Sequence, residues 1–140
     1  MRVGLIVDDL SIEHGTGIAR YNNELRIGLE KRGIEVEVVS VEIPEFPLGD
    51  AVTHTMLLPI KIRQSLRNLD ILHATSPITG LCFPFINKPK VVTYHDIITM
   101  LMKDSGMSLH ARLMSKIFLR VGKWSNAVIA DSLPEPGPLT

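Results

Sequence analysis

Two short segments of this chain are equipped for ligand chemistry. In the first, Gly15-Thr16-Gly17, two glycines precede a helix-like pattern, so bare backbone N–H groups can face an anion such as a diphosphate. In the second, His95-Asp96, a histidine and a carboxylate directly follow an apolar run of strand length. Polar residues at the end of a buried strand are candidates for ligand binding. The sequence therefore predicts an anion site at the glycine loop and a second candidate position at His95.

Strand-like and helix-like segments alternate along the chain on either side of these two segments. Apolar runs predict five strands, over residues 3–7, 34–41, 70–74, 90–94 and 127–130. Apolar residues at helical spacing predict three helices, over residues 18–32, 55–69 and 109–124. Gly33 is expected to end the first helix, and Ser108 to cap the last.

This alternation predicts an α/β fold, a Rossmann-like three-layer sandwich with a mainly parallel sheet. Ligands of such sheets bind beyond the carboxyl ends of the strands. Several polar or glycine-containing segments of the sequence are expected at that edge. They are Asp8, Asp9, the glycine loop, residues 73–77, His95, Asp96, Asp131 and Ser132.

Two other ligand-binding folds share parts of this pattern. A dinucleotide-binding loop needs its glycines directly after the first strand and a third glycine in the helix, whereas here residues 8–14 intervene and Arg20 takes the third position. Glu42 could imitate the ribose-binding acid, so an NAD-binding domain stays open as the weaker alternative. A phosphorylation receiver domain needs an aspartate after the third strand, where this chain has His73-Ala74-Thr75. That class is excluded.

Composition limits the other classes. The length of 140 residues suits one domain, and 15 basic against 15 acidic residues give no net charge to favour nucleic acid. The single cysteine, Cys82, excludes an internal disulfide framework and fits a reducing compartment. With no signal-peptide pattern and no long apolar span, a cytoplasmic location is expected. The scattered histidines His14, His54 and His110 have no acidic or thiol partners nearby, so no metal site is expected.

Several motifs together resemble one known family. They are residues 17–21 with Leu25, residues 70–74, residues 92–96 and residues 130–132. In order and placement they are similar to the family-4 glycosyltransferases of the GT-B fold, and the resemblance reaches Ser132. It implies the amino-terminal, acceptor-side half of an enzyme that moves a sugar from a nucleotide-sugar donor with retention of configuration. No cofactor and no divalent metal are implied. The acceptor would be a sugar or a lipid-linked molecule.

The resemblance also implies roles for individual residues. Gly15, Thr16 and Gly17 correspond to the loop that approaches the donor diphosphate. His95 corresponds to a histidine beside the transferred sugar, which it would hydrogen-bond or orient. The positions expected to line the cleft are Arg20, Tyr21, Asp96, Asp131 and Ser132. His73 is expected to be structural, with a partly buried ring bonded to backbone.

The last predicted helix carries two signals. Its apolar stripe, expected to face the core, consists of Leu109, Leu113, Ile117, Val121 and Trp124. Beside that stripe lie Arg112, Lys116, Arg120 and Lys123, with no acidic residue over 105–130. A solvated basic side of a core-facing helix is the simpler interpretation, and peripheral contact with the inner face of an anionic membrane is the alternative.

The end of the sequence departs from the family pattern. Relatives continue with a helix, whereas residues 133–138 contain three prolines, which lack the backbone N–H that a helix needs. We therefore expect residues 1–132 to form an incomplete glycosyltransferase domain and residues 133–140 an irregular tail. The donor-binding domain would lie outside these residues, which leaves a noncatalytic binding or interaction domain as the alternative function.

Overall fold

Five parallel strands form the centre of the molecule. A computed structural model describes residues 1–7, 17–40, 56–95 and 109–130 of the chain. The strands are β1 (Arg2–Ile6), β2 (Glu35–Val39), β3 (Ile71–Ala74), β4 (Lys90–Tyr94) and β5 (Ala127–Ala130). Their order across the sheet is β2-β1-β3-β4-β5, and every neighbouring pair is parallel. The predicted strands are confirmed, with ends that differ by one or two residues at most within the described part.

Helical segments connect the strands. They are α1 (Gly17–Lys31), α2 (Leu58–Ser65), which continues into a 3₁₀ turn at Leu66–Asn68, and α3 (Leu109–Trp124). Gly33 lies just past α1 with a φ of +79°, a left-handed conformation that glycine adopts without strain, and this ends the helix as predicted. Within the described residues no helix has the length and apolarity needed to cross a membrane.

Alternate residues of the strands face opposite layers. Ile6, Leu72 and Val92 belong to a buried cluster that also contains Leu58 and Ile62 of α2. The same cluster includes Tyr94 of β4 and Val121 of α3. On the opposite face, Tyr21 of α1 reaches the hydroxyl of Thr93. Helices therefore pack on both faces of the sheet, and the predicted Rossmann-like α/β class is confirmed.

The connection between β3 and β4 was not predicted. It is a 3₁₀ segment, Ile78–Phe85, with buried Cys82 and Phe83 in the core cluster. A Cβ on Gly80 would collide with Val121 of α3, so the glycine allows the two segments to approach closely. The sequence of this segment lacks the helical spacing of apolar residues that identified the other helices.

The apolar stripe of α3 does not face the core as a whole, and that prediction is wrong. Val121 is buried and Ile117 is partly buried, but Leu109 is 84% exposed and Leu113 is 55% exposed. The reason is the position of α3, which packs against the 3₁₀ segment and β4 next to β5, the strand at the edge of the sheet. All four residues of β5 are themselves exposed. The cap at Ser108 and the tail at 133–140 lie outside the described residues.

Candidate functional site

His95 is anchored at the carboxyl edge of the sheet. It directly follows β4, and its Nε2 lies 2.8 Å from the carbonyl oxygen of Thr75, which follows β3. Because a carbonyl only accepts, Nε2 carries the proton and donates it. Thr75 is fixed in turn, since its backbone N–H and its hydroxyl both donate to the carbonyl of Ile6, at 3.1 and 3.0 Å. The His95 ring is therefore held against the ends of three strands.

Tyr21 brings α1 to the same histidine. The two rings meet edge to face, with centroids 4.6 Å apart and planes at 82°. This arrangement places the positive edge of one ring against the negative face of the other, which stabilises the pair and fixes both orientations. Tyr21 and His95 are distant in sequence, so the structure brings together two of the predicted site residues.

A buried threonine holds Tyr21 in place. The hydroxyl of Thr93 lies 3.2 Å from the Tyr21 hydroxyl and 2.7 Å from Nε2 of His73. A threonine hydroxyl can donate one hydrogen bond and accept others, so Thr93 links the histidine to the tyrosine. Thr93 and His73 are both buried. The linked side chains run from the interior of the sheet to the ring beside His95.

His73 is neutral in the folded chain. Burial, with a smaller contribution from the nearby His95, lowers the pKa of His73 from 6.5 to about 4. The expectation that its ring would bond to backbone is corrected, because the partner is the side chain of Thr93. The physical reason is that Val91 and Thr93 of β4 lie beside His73 on the same face of the sheet, as the register of β3 and β4 requires.

A third threonine, Thr79, shapes the turn after β3. The hydroxyl of Thr79 donates to the carbonyl of Ser76 at 2.8 Å and accepts from the Ser76 backbone N–H at 3.3 Å. Both residues are buried. This turn supports the backbone on which Thr75 presents its carbonyl to His95.

The other predicted site residues fall into two groups. Gly17 is the first residue of α1 and is exposed, and Arg20, in the same turn, forms an ion pair with Glu24 at 3.0 Å. The remaining positions lie outside the described residues, and their predicted roles stay predictions. They are Gly15, Thr16, Asp96, Asp131 and Ser132.

Thr75 and Thr93 carry roles that sequence reasoning missed. Thr75 lies within the predicted polar edge at residues 73–77 and Thr93 within the motif at residues 92–96, but threonine is common in and around strands, so the sequence gives neither a role of its own. The only available signal is the alternation along β4, which puts Thr93 on the same face as His95. Among the residues that the structure describes, no group of three or more potential metal ligands is brought together.

The site presents a histidine ring and a tyrosine ring together at the carboxyl edge of the sheet. The hydrogen bond from Nε2 of His95 to the Thr75 carbonyl fixes the orientation of the ring. Two of its contacts in the described part of the chain are the backbone carbonyl of Thr75 and the ring of Tyr21, and neither of these groups carries a charge. Such an arrangement suits hydrogen bonds to a sugar, with the aromatic edge of Tyr21 as an apolar wall.

Comparison with known proteins adds the family. Searches of curated proteins and of solved structures found no match. The family model described as Glycosyltransferase Family 4 matches residues 15–133, a range that includes Tyr21, His73, Thr93 and His95. That match spans most of the 140 residues and agrees with the resemblance in the motifs. The chain therefore belongs to glycosyltransferase family 4.

Proposed function

We propose that this chain forms the amino-terminal, acceptor-side wall of a retaining GT-B glycosyltransferase. The enzyme would move a hexose, mannosyl or glucosyl, from a nucleotide-sugar donor to a sugar or lipid-linked acceptor. The observation that carries the proposal is the fixed His95 ring, bonded to Thr75 and packed on Tyr21 at the carboxyl edge of the sheet. Family membership supports the class of reaction.

His95 is proposed to position the transferred sugar. The ring contacts the sugar, while the bond from Nε2 to Thr75 prevents the ring from turning. A fixed ring orients the sugar without the entropy cost of ordering a free side chain. The contact with Tyr21 adds a second restraint on the same ring. Asp96, Asp131 and Ser132 are proposed to complete this side of the cleft.

The start of α1 is proposed to face the donor diphosphate. The first turn of α1 contains no acidic residue, and among the described residues no atom beyond the adjoining backbone lies within 4 Å of the position that a Cβ on Gly17 would occupy. The amino end of a helix carries a partial positive charge that stabilises a bound anion. This stabilisation increases as negative charge develops on the diphosphate leaving group. Gly15 and Thr16 would complete this loop, with Arg20 at the rim.

The donor nucleotide is proposed to bind to a second domain across the cleft. On this hypothesis both domains are needed for transfer, and residues 1–132 alone bind acceptor without turning it over. No cofactor or metal ion takes part in the proposed reaction, as the family resemblance implies. The proposed location is cytoplasmic, at the inner face of the membrane when the acceptor is lipid-linked.

The proposal is tested with the full-length enzyme, UDP-glucose and GDP-mannose as donors, and a panel of sugar and lipid-linked acceptors. We expect acceptor-dependent release of the nucleoside diphosphate, and a product whose anomeric configuration by NMR equals that of the donor. An inverted product would contradict the retaining mechanism. Acceptor binding by calorimetry with no turnover of any donor would favour the noncatalytic alternative.

A further inference from the structure

The outer side of α3 combines exposed basic and apolar residues. Arg112, Lys116, Arg120 and Lys123 are all exposed, and their spacing of four, four and three residues places them along one side of the helix. No acidic residue occurs over 109–130. This side of α3 therefore carries four positive charges, although the net charge of the whole chain is zero.

These charges have no counter-ions in the part of the chain that the structure describes. The ion pairs found there join Arg2, Arg20 and Arg26 to glutamates, and none of them involves α3. The four basic side chains of α3 are instead exposed together along one side of one helix. Such a cluster attracts an anionic surface.

Large apolar side chains lie among the basic ones. Leu109 is 84% exposed, Leu113 is 55% exposed and Trp124 is 36% exposed. Leu109 and Leu113 are one turn apart, and Lys116 and Arg120 continue the same side of the helix. Helices with this mixture lie in the plane of a membrane interface, with basic groups at the lipid head groups and apolar groups at the acyl boundary.

We propose that this side of α3 is a docking face for the surface of an anionic phospholipid bilayer. The docking face consists of Arg112, Lys116, Arg120, Lys123, Leu109, Leu113 and Trp124. The positive charge is complementary to anionic head groups, and the leucines gain an apolar environment that nucleic acid does not offer. Docking is a property of this helix and does not depend on sugar transfer.

The test is co-sedimentation of the full chain with vesicles in the absence of donor and acceptor. Vesicles of phosphatidylcholine alone are compared with vesicles that also contain phosphatidylglycerol. We expect binding to the anionic vesicles, weakened by added salt, together with a blue shift in the fluorescence of Trp124, the single tryptophan of the sequence. Equal binding to both vesicle types, or no binding to either, would overturn the proposal.

Two pairs of variants separate charge from fold. Each basic residue near an anionic surface contributes roughly fivefold to partitioning, so Lys116→Gln with Arg120→Gln is expected to weaken vesicle binding about 25-fold. Lys31→Gln with Arg32→Gln removes the same charges from exposed positions at the end of α1 and is the matched control, with little expected effect. An equal loss in both pairs would mean a non-specific charge effect and would refute the docking face.

The apolar contribution has its own test. Leu109→Ser with Leu113→Ser changes two exposed positions, so folding should be unaffected, and vesicle binding is expected to fall at least about tenfold. Unchanged binding would contradict insertion of these leucines and would leave a purely electrostatic partner, such as an acidic protein or nucleic acid. No step of this test uses a sugar donor. Vesicle binding can therefore be absent in an enzyme that transfers sugar, and it can be present in a protein that does not.

Discussion

Acid sensitivity of the fold is expected from the buried ring of His73. The residue is 6% exposed, and burial and the nearby His95 lower its pKa from 6.5 to about 4. Unfolding restores the ordinary value, so between pH 6.5 and pH 4 the unfolded chain binds more protons at this residue than the folded chain does. The contribution of His73 to stability is therefore complete above pH 6.5 and is lost as the pH falls toward 4.

The magnitude follows from the two pKa values. A difference between 6.5 and about 4 corresponds to about 3 kcal/mol of unfolding free energy once the pH is below both values. Between pH 7 and pH 5 the loss at this one residue is about 2 kcal/mol by the same relation. That amount is a large fraction of the stability of a typical domain.

The assay is urea unfolding of the wild type and of His73→Gln at pH 7 and pH 5. Glutamine can still donate to Thr93 but does not titrate, and all other groups titrate in both proteins. The stability difference between the two proteins should therefore change by about 2 kcal/mol between these pH values, in favour of the variant at pH 5. Equal losses in both proteins, or a His73 ring that is protonated at pH 5 by NMR, would refute the reasoning.

Three further expectations concern single positions. Gly80→Ala should lower the free energy of unfolding by about 1–3 kcal/mol, because its Cβ collides with Val121. Gly28→Ala has open space around it on α1 and should raise the free energy of unfolding by about 0.5–1 kcal/mol. Similar unfolding midpoints for the two variants would contradict this. Burial raises the pKa of Cys82 to about 12, so iodoacetamide should alkylate it only after unfolding, and an equal rate in the native protein would count against the burial. Gly17→Asp places a negative charge at the amino end of α1, so it should raise the Ki for nucleoside diphosphate in the full-length enzyme without lowering Tm. The uncharged Gly17→Asn should raise this Ki less.

Strand positions could be predicted because each strand is a short apolar run between polar segments. Buried parallel strands have this composition, and β4 and β5 were located to the residue. The end of α1 followed from Gly33. The 3₁₀ segment at Ile78–Phe85 could not be predicted, because it has no helical periodicity and includes Pro84. Which side of α3 is covered could not be predicted either, since that depends on the edge position of β5.

The candidate site was predicted in part, for an equally physical reason. The rule that ligands bind at the carboxyl ends of parallel strands located His95. The contact with Tyr21 and the bond to Thr75 depend on the packing of α1 and β3, which local sequence does not encode. The link from His73 through Thr93 to Tyr21 also requires the strand register, which appears only in the folded sheet.

The central claim is that His95 acts on the transferred sugar. Its most direct test is the kcat for nucleoside diphosphate release by the full-length enzyme with His95→Ala, measured beside its Tm. Loss of a fixed hydrogen-bonding group at the reacting sugar should lower kcat about 100-fold while Tm changes little. The His95→Gln enzyme can still donate to the Thr75 carbonyl, so its kcat should lie between those of the wild type and of His95→Ala. Normal turnover by a well-folded His95→Ala enzyme would contradict the account.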